Sequence, residues 1–453
     1  MSIKKSLIAS SIALTVLVGC GSDNDDKIIT TYDSAVFATY NLSFDRSSYE
    51  QLVAEMTLPV ASQNSLVEQY INDRDNMTDE DAETAESVMQ IRNVAEIIQR
   101  TRPNAFVLAE FNNDGNADDM TALEGFQNNY LSHSQGEQET IHYDYMKNVA
   151  TNTGLASGFD LNRDGEATGI NDDAWGYGAY HGQYAFAVFS QFEIDENNVR
   201  TFQNFKWKDM DGEINIKVQD CGDNGCPDDL EVGDAWYSEE AWEQFPLSSK
   251  NHADIPVLIP TEDGVETIHF LVSHPAPPIF DNQANHNTER NRAEIKFWND
   301  YINSETYFYD DNNTEGGLAA GSKFVIAGDL NADHKMGDGD RDTIKALLEH
   351  SLVNIYATTG DSAPESNGGQ YCFDAGICER NTDTPQPERI TSVSGLRLDY
   401  AIPSENLEVI ESGTFWPAGD EDGYHLVFDE ELGNSKGVSS DHRMVWTKVS
   451  LND

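Results

Sequence analysis

Six short apolar runs, each carrying a polar or ionisable side chain at or just after its end, limit what this chain can become. They are Ser34-Ala-Val-Phe-Ala-Thr-Tyr40, Ala105-Phe-Val-Leu-Ala109, Tyr184-Ala-Phe-Ala-Val-Phe189, Thr267-Ile-His-Phe-Leu-Val272, Lys323-Phe-Val-Ile-Ala327 and Leu396-Arg-Leu-Asp-Tyr-Ala401. Runs this short and continuous read as buried strands. Helical patterns lie between them. Thr78 with Asp81 predicts a capped start, Val88, Ile91, Ala95 and Ile98 recur at helical spacing, and Pro103 stops the pattern. Similar patterns at 288–301 and 340–350 make this an α/β chain whose strands are covered by helices. Polar residues from several strand ends can then converge on one rim.

No internal repeat or Pro-rich linker divides the 453 residues, and 38% hydrophobic residues suffice for a sizeable core, so 34–453 reads as a single domain with long loop insertions. Ahead of it, Lys4 and Lys5 precede an apolar run from Leu7 to Val18, the pattern of a removable signal peptide over 1–19. Leu17-Val-Gly-Cys20 resembles the bacterial lipobox. Acylation of Cys20 would leave residues 20–33 as a flexible tether and make this an exported cell-envelope lipoprotein, at the outer membrane or cell surface; the alternative is an ordinary signal peptide that contains a cysteine. The other four cysteines, Cys221, Cys226, Cys372 and Cys378, suit two local disulfides in an exported protein, with a zinc site as the rival reading.

The charge balance is −52, from 28 basic and 80 acidic residues. Such a surface gives long polyanions no electrostatic steering. Adaptation to high salt or cation binding would each account for it. Two acidic loops bear on the second reading. Asp160-Leu-Asn162-Arg-Asp164-Gly-Glu166 matches the start of a structural Ca²⁺ loop, with oxygen ligands at alternate positions, but its twelfth position is Asn171 rather than Glu. Asn112-Asn-Asp114-Gly-Asn116-Ala-Asp118-Asp119 alternates in the same way. A solvated acidic loop is the alternative for both.

Three strand-end clusters carry chemistry. Glu110 follows one buried run; Gly328-Asp-Leu-Asn331 follows another, with a carboxylate and a carboxamide on the same side of extended backbone; Ser440-Asp-His442 sets a carboxylate beside an imidazole before the last apolar run. With Thr39-Tyr-Asn41-Leu42, Phe106-Val-Leu-Ala-Glu110, Ser273-His-Pro275 and Arg397-Leu-Asp399-Tyr400, these segments resemble, in order, the endonuclease/exonuclease/phosphatase superfamily of deoxyribonucleases, apurinic endonucleases, inositol-phosphate phosphatases and neutral sphingomyelinases. Arg200-Thr-Phe-Gln-Asn-Phe-Lys-Trp-Lys-Asp-Met210, Ser248-Ser-Lys-Asn-His252, His274-Pro-Ala-Pro-Pro-Ile-Phe-Asp281 and Phe415-Trp-Pro417 further resemble a subgroup of large exported bacterial members.

The resemblance implies a deoxyribonuclease-like four-layer α/β sandwich, two mixed β-sheets face to face with helices outside. It implies that Glu110, helped by Asn41 and Asp441, holds catalytic Mg²⁺ or Mn²⁺. Asp329 and Asn331 would hold the attacking water or the phosphoryl group, Asp399 would orient His442 as base or charged donor, and His274 would be the general acid. Apurinic endonucleases carry an acid where this chain has Ser43, so a second metal ligand is missing there. Lys250, His252, Arg290 and Arg292 are candidates for phosphate contact, with surface ion pairing as the alternative.

The expected activity is metal-dependent hydrolysis of a phosphodiester by a monomeric enzyme, with extracellular nucleic acid as the first substrate. A phosphomonoesterase, a phospholipid-headgroup phosphodiesterase and a non-catalytic calcium-binding lipoprotein are the rivals. Insertions around 112–180 and 205–250 set the substrate and carry no readable pattern.

Overall fold

The computed structural model describes residues 30–44, 46–222, 225–379, 384–433 and 436–452. The signal peptide, Cys20 and most of the tether lie outside them. In chain order the strands are β1 (Ser34–Asn41), β2 (Ala105–Ala109), β3 (Tyr145–Asn148), β4 (Phe186–Ser190), β5 (Glu193–Ile194), β6 (Arg200–Thr201), β7 (His252–Thr261), β8 (Gly264–Ser273), β9 (Lys323–Asp329), β10 (Asp399–Pro403), β11 (Val409–Thr414) and β12 (Val445–Ser450). The helices that matter below are α1 (Tyr49–Met56), α2 (Val60–Asp73), α3 (Asp79–Thr101), α4 (Thr121–Phe126), α5 (Glu239–Trp242), α6 (His286–Ile302) and α7 (Arg341–Leu348).

Local sequence explains the elements. Thr78 caps α3 by accepting the Asp81 amide at 3.1 Å, and Asp340 caps α7 by accepting that of Thr343 at 2.7 Å. The run at 184–189 starts later than its composition predicts, at Phe186, because Tyr184 turns the chain with φ 59°. Likewise Leu396–Leu398 lie in the irregular segment that follows a turn at Val393–Ser394, and β10 begins only at Asp399.

Sheet one has the order β11-β12-β1-β2-β4-β3, and sheet two the order β10-β9-β8-β7-β5, with β6 also on β7. Alternation along each strand decides what faces what. Phe37, Val107, Val188, Ile255, Val257, Phe270, Val272, Val325 and Ala327 fill the space between the sheets. Their neighbours Tyr40, Phe106 and Leu108 pack instead with Leu52, Ile91, Val94 and Phe126 of α1, α3 and α4. On the far side Leu271, Phe324, Ile326 and Tyr400 pack with Phe297, Trp298 and Tyr301 of α6, Leu347 of α7 and the insertion aromatics Trp207, Trp236 and Trp242. The architecture is therefore helices, sheet, sheet, helices, the four-layer sandwich expected.

The same period of two places the chemistry. Asn41, Asp329, Asp399 and, one residue past β8, His274 share the parity of the inward-facing positions. At the rim the apolar layer between the sheets gives way to these polar side chains. Cys221–Cys226 and Cys372–Cys378 form two local disulfides, which replaces the zinc alternative and fits maturation in an oxidising compartment. Among the described residues no helix is long and apolar enough to cross a membrane.

Candidate active site

The rim is assembled from the carboxyl ends of β1, β2, β8 and β9 and the approaches to β10 and β12. Asp399 pairs directly with Asp329 across the antiparallel β9–β10 ladder. Gly328 permits the neighbouring approach of β8. A side chain there would meet the Ser273 carbonyl oxygen at 1.9 Å, and φ is 154°. His274 thus stays beside Asp329, with Nε2 at 3.5 Å from Oδ2.

Asp329 is the hub. Its Oδ2 accepts Asn41 Nδ2 from the other sheet at 3.0 Å, and its Oδ1 accepts the Asn331 amide at 2.9 Å. Asn41 Nδ2 also lies 3.3 Å from Glu110 Oε1. His442 Nδ1 donates to Asp399 Oδ2 at 2.8 Å and stands 3.9 Å from Asp329 Oδ2. Thr391 Oγ1 donates to the same Asp399 oxygen at 2.7 Å, which fixes the carboxylate that orients the ring. Ser43 Oγ contacts Ser440 Oγ and donates to Asp441, where a second acid was the family alternative. Ser43, Glu110 and Asn331 all have left-handed backbone, φ 52°, 58° and 52°. Non-glycine residues hold that conformation at a cost, and its clustering at one rim marks a site whose side-chain directions are imposed.

Charge states follow from these neighbours. Burial opposes a charge on His442, but Asp399 and then Asp329 outweigh it and hold the ring pKa well above 6.5. Burial likewise opposes ionisation of Asp329, yet His442, His274 and Asn41 hold its carboxyl well below the usual range. One proton is shared between Asp399 and His442, and the geometry keeps it on the imidazole. His274 is pushed down to about 4 by burial and then by Lys250. At neutral pH the site holds a carboxylate at 329, an imidazolium at 442 and a neutral imidazole at 274.

Two groups of residues come into question as a cation site. Asp329, Asp399 and His442 bring ligand atoms within 4.8 Å of one another. However, the Nδ1 lone-pair position of His442 is taken by the proton it gives Asp399, and an imidazolium does not ligate. The oxygen set Glu110, Asp441 and Asn41 fits better. Burial, then Asp441, raises Glu110 to about 7, with His442 and Asn41 giving only partial relief. An unneutralised pair of carboxylates plus a carboxamide is a hard-oxygen donor set of the kind Mg²⁺ prefers.

The four cationic candidates separate. Lys250 lies in the site, near Glu110, Asp329 and Glu294. His252 does not reach it: Nδ1 is bonded to Ser248 Oγ at 2.6 Å and Nε2 to the Glu294 carbonyl at 2.9 Å, inside the α6 packing. Arg290 is spent on the carbonyls of Pro246, Leu247 and Ser248. Arg292 pairs with Glu213 and Glu289. These three serve the scaffold rather than phosphate, because backbone acceptors or carboxylates already take their donors. In the acidic loop, Asp160 and Asn162 accept the Asp164 amide, Asp160 that of Gly165 and Asp164 that of Glu166, while Asp173 gathers the amides of Leu161, Asn162 and Thr168.

Reading the sequence missed the role of α6. Asn291 donates to the carbonyls of Ala276 and Leu330, which ties the loop after His274 to the loop after Asp329. Glu294 accepts the amides of Ser249 at 2.5 Å and Ala276 at 2.7 Å. Trp298 Nε1 donates to Ser273 Oγ. Helical periodicity reveals that α6 is a helix; it does not reveal that its polar positions meet loops far away in sequence.

Three solved structures resemble the chain at low identity. An endonuclease/exonuclease/phosphatase from Beutenbergia cavernae is 11% identical, with 93% of this chain and 72% of that one covered and a TM-score of 0.42. A mannosyl-6-phosphatase from Bacteroides thetaiotaomicron is 11% identical, with 92% and 100% covered and a TM-score of 0.43. TDP2 from Caenorhabditis elegans is 10% identical, with 92% and 75% covered and a TM-score of 0.37. No curated protein matches the sequence. The Endonuclease/Exonuclease/phosphatase family model, by contrast, matches residues 38–442, from within β1 to the last site histidine, and the chain belongs to that family.

Proposed function

We propose that the chain is an exported, metal-dependent phosphodiesterase that uses water as nucleophile, with nucleic acid as the first substrate to test. The observation that carries this reading is the geometry at the rim: Asp329, bonded by Asn41 and the Asn331 amide, stands 3.5 Å from His274 and 3.9 Å from His442, whose other partner is Asp399, and these neighbours favour an ionised Asp329 and a protonated His442. Asp329 accepts a proton from the attacking water as the new P–O bond forms. His442 donates to a non-bridging oxygen, and the P–O bond to the leaving group breaks. His274 is neutral in the free protein, so it gains the proton it passes to the leaving oxygen only when the phosphate anion beside it raises its basicity. Asn331, with Nδ2 on the Pro275 carbonyl at 3.1 Å, keeps the His274 and Asp329 loops in register. Mg²⁺ or Mn²⁺, held by Glu110, Asp441 and Asn41, would supply charge neutralisation for the phosphate.

The charge of −52 favours short strands or strand ends over long duplexes, and equally favours the second reading, a small phosphomonoester or a headgroup phosphodiester. Oligonucleotides, bis(p-nitrophenyl) phosphate, p-nitrophenyl phosphate and sphingomyelin, each assayed with Mg²⁺, Mn²⁺ and EDTA, discriminate. Hydrolysis of a diester that EDTA abolishes and His442→Ala lowers about 10²–10⁴-fold is expected. Turnover that ignores EDTA, or that survives His442→Ala unchanged, removes the reading. Export through Cys20 is checked by mass spectrometry of the mature amino terminus, where an acylated Cys20 is expected.

A further inference from the structure

Ser248-Ser249-Lys250-Asn251-His252, which ends on the first residue of β7, is a run of five buried polar residues. The side chains of Ser248, Asn251 and His252 are all bonded within the scaffold, whereas the Ser249 hydroxyl has no partner among the described residues. The Ser248 carbonyl accepts from Arg290 and Asn152, the Ser249 amide donates to Glu294, and Asn251 bonds the Phe202 amide and the Ala150 carbonyl. His252 is bonded through both ring nitrogens. Lys250 is the one charged member of the run. It is 6% exposed, and its ammonium, with three donors, makes one long bond, 3.4 Å to the carbonyl of Pro275, the residue after His274. The charges it faces are the carboxylates of Glu294, Glu110 and Asp329 and the guanidinium of Arg290. Burying an ammonium is costly unless it is paired and hydrogen-bonded, so a buried ammonium with donors to spare, facing the carboxylates of Glu110 and Asp329, is held ready for another acceptor.

We propose that Lys250 is a further catalytic residue: a fixed ammonium on the His274 side of the rim that binds the phosphoryl oxygens and supplies the second positive charge beside that of a single divalent cation. The inference deepens the phosphodiesterase reading and rests on it. Ser43 gives the opposite side no second carboxylate, since its hydroxyl donates to Asp441. Arg290, Arg292 and Arg397 are spent on carbonyls or carboxylates, so Lys250 supplies what they do not. In the hydrolysis step the ammonium keeps its protons. It donates hydrogen bonds to oxygens on phosphorus while the bond to water forms and the bond to the leaving oxygen breaks, and His274 supplies the leaving-group proton. One metal ion and one lysine then share the charge.

The test uses the full-length enzyme and bis(p-nitrophenyl) phosphate. Lys250→Met keeps the volume of the buried side chain and should stay folded, as thermal melting will show, while kcat/KM falls about 10²-fold, the usual loss for one preorganised donor. Lys250→Ala should lose as much, and ethylammonium should restore about tenfold in that variant but not in the wild type or the Met variant. Lys250→Arg should not rescue, because a planar guanidinium does not fit a site shaped for a compact ammonium. The Mg²⁺ dependence of wild-type kcat should follow a single-site curve. A folded Met variant with wild-type turnover, a folded Ala variant that ethylammonium leaves unchanged, or a two-site Mg²⁺ dependence would each overturn the proposal while leaving the phosphodiesterase reading intact. A wild type that hydrolyses no phosphate ester overturns both.

Discussion

Sheet one reaches the rim in oxygen donors that stay partly open to solvent, Glu110 and Asp441 on either side of Asn41, whereas sheet two reaches it in groups withdrawn from water. His274 is 4% exposed, Asp329 1% and Asp399 0%. Open carboxylates suit an ion that must exchange ligands with water and substrate. Dry ones keep their charge only because named neighbours hold it there. Side-chain bonds that join the halves at the site run between residues far apart in sequence, among them Asn41 to Asp329 and His442 to Asp399, and backbone bonds from Val393 to Asp441 and from Arg443 to Thr391 reinforce the second joint. In the proposed reading, the metal ligands lie on sheet one and the proton acceptor and leaving-group acid on sheet two, while His442, carried on the approach to β12, is the proton donor that reaches across to Asp399.

The largest expected effect breaks the dry half alone. Asp329→Asn removes the proposed proton acceptor and keeps the shape, but its single carbonyl oxygen can accept from Asn41 or from the Asn331 amide and not from both, so kcat should fall about 10³-fold. The Mg²⁺ concentration for half-maximal rate should stay within about twofold if the sheets are separable, a margin set by ordinary mutational coupling. A steady-state titration of Mg²⁺ in both proteins reads the two quantities together. A large change in metal requirement would mean that Asp329 belongs to the metal set, and the division by sheet would fail.

Asn41→Ala cuts a joint, so both quantities should move. Loss of a residue that orients a metal-binding carboxylate typically weakens metal affinity about 10–100-fold, and the same truncation frees Asp329 Oδ2 to drift from the His274 ring. Mg²⁺ binding followed calorimetrically, alongside kcat, separates the halves again: movement of kcat alone, or of affinity alone, would show that Asn41 serves one sheet only.

Much of this was legible because strands punctuate themselves. Ala105–Ala109 forms β2 with Glu110 immediately after it, and Lys323 starts β9 as its composition predicts. Continuous apolar runs that stop abruptly at a polar residue state both the layer and the rim. The four-layer sandwich followed from the family resemblance rather than from the runs themselves, since alternation does not say which strands are neighbours. What stayed hidden was lateral. β7, with His252 at one end and Pro256 and Pro260 within it, carries too mixed a composition to read as a central strand, yet it pairs with β8 along ten residues. That pairing sets Lys250 opposite the His274 loop. The cationic candidates were chosen by type, and type does not tell an arginine aimed at phosphate from one, like Arg290, whose acceptors are three consecutive carbonyls.

The smallest effect tests whether dryness on sheet two has a thermodynamic signature away from the chemistry. Burial pushes His252 down to about 3, with the Glu294 carbonyl pulling the other way and Arg290 adding to the fall. Its pKa in the unfolded chain is near the ordinary 6.5. Between those values the unfolded chain binds the proton and the folded one does not. The contribution is therefore fully present above about pH 6.5 and is lost as pH falls toward 3. At pH 5 the loss from this group amounts to about 2 kcal/mol. His252→Gln keeps a donor for the Glu294 carbonyl but no titrating ring, so it should be less stable than wild type at pH 8 and close that gap by about 2 kcal/mol at pH 5, as read from urea unfolding. His274 and His286, also held below their ordinary range by burial, titrate in both proteins and cancel in the difference. Equal slopes of stability against pH in the two proteins would mean that water reaches His252, and the contrast between a dry sheet and an open one would then be confined to the rim.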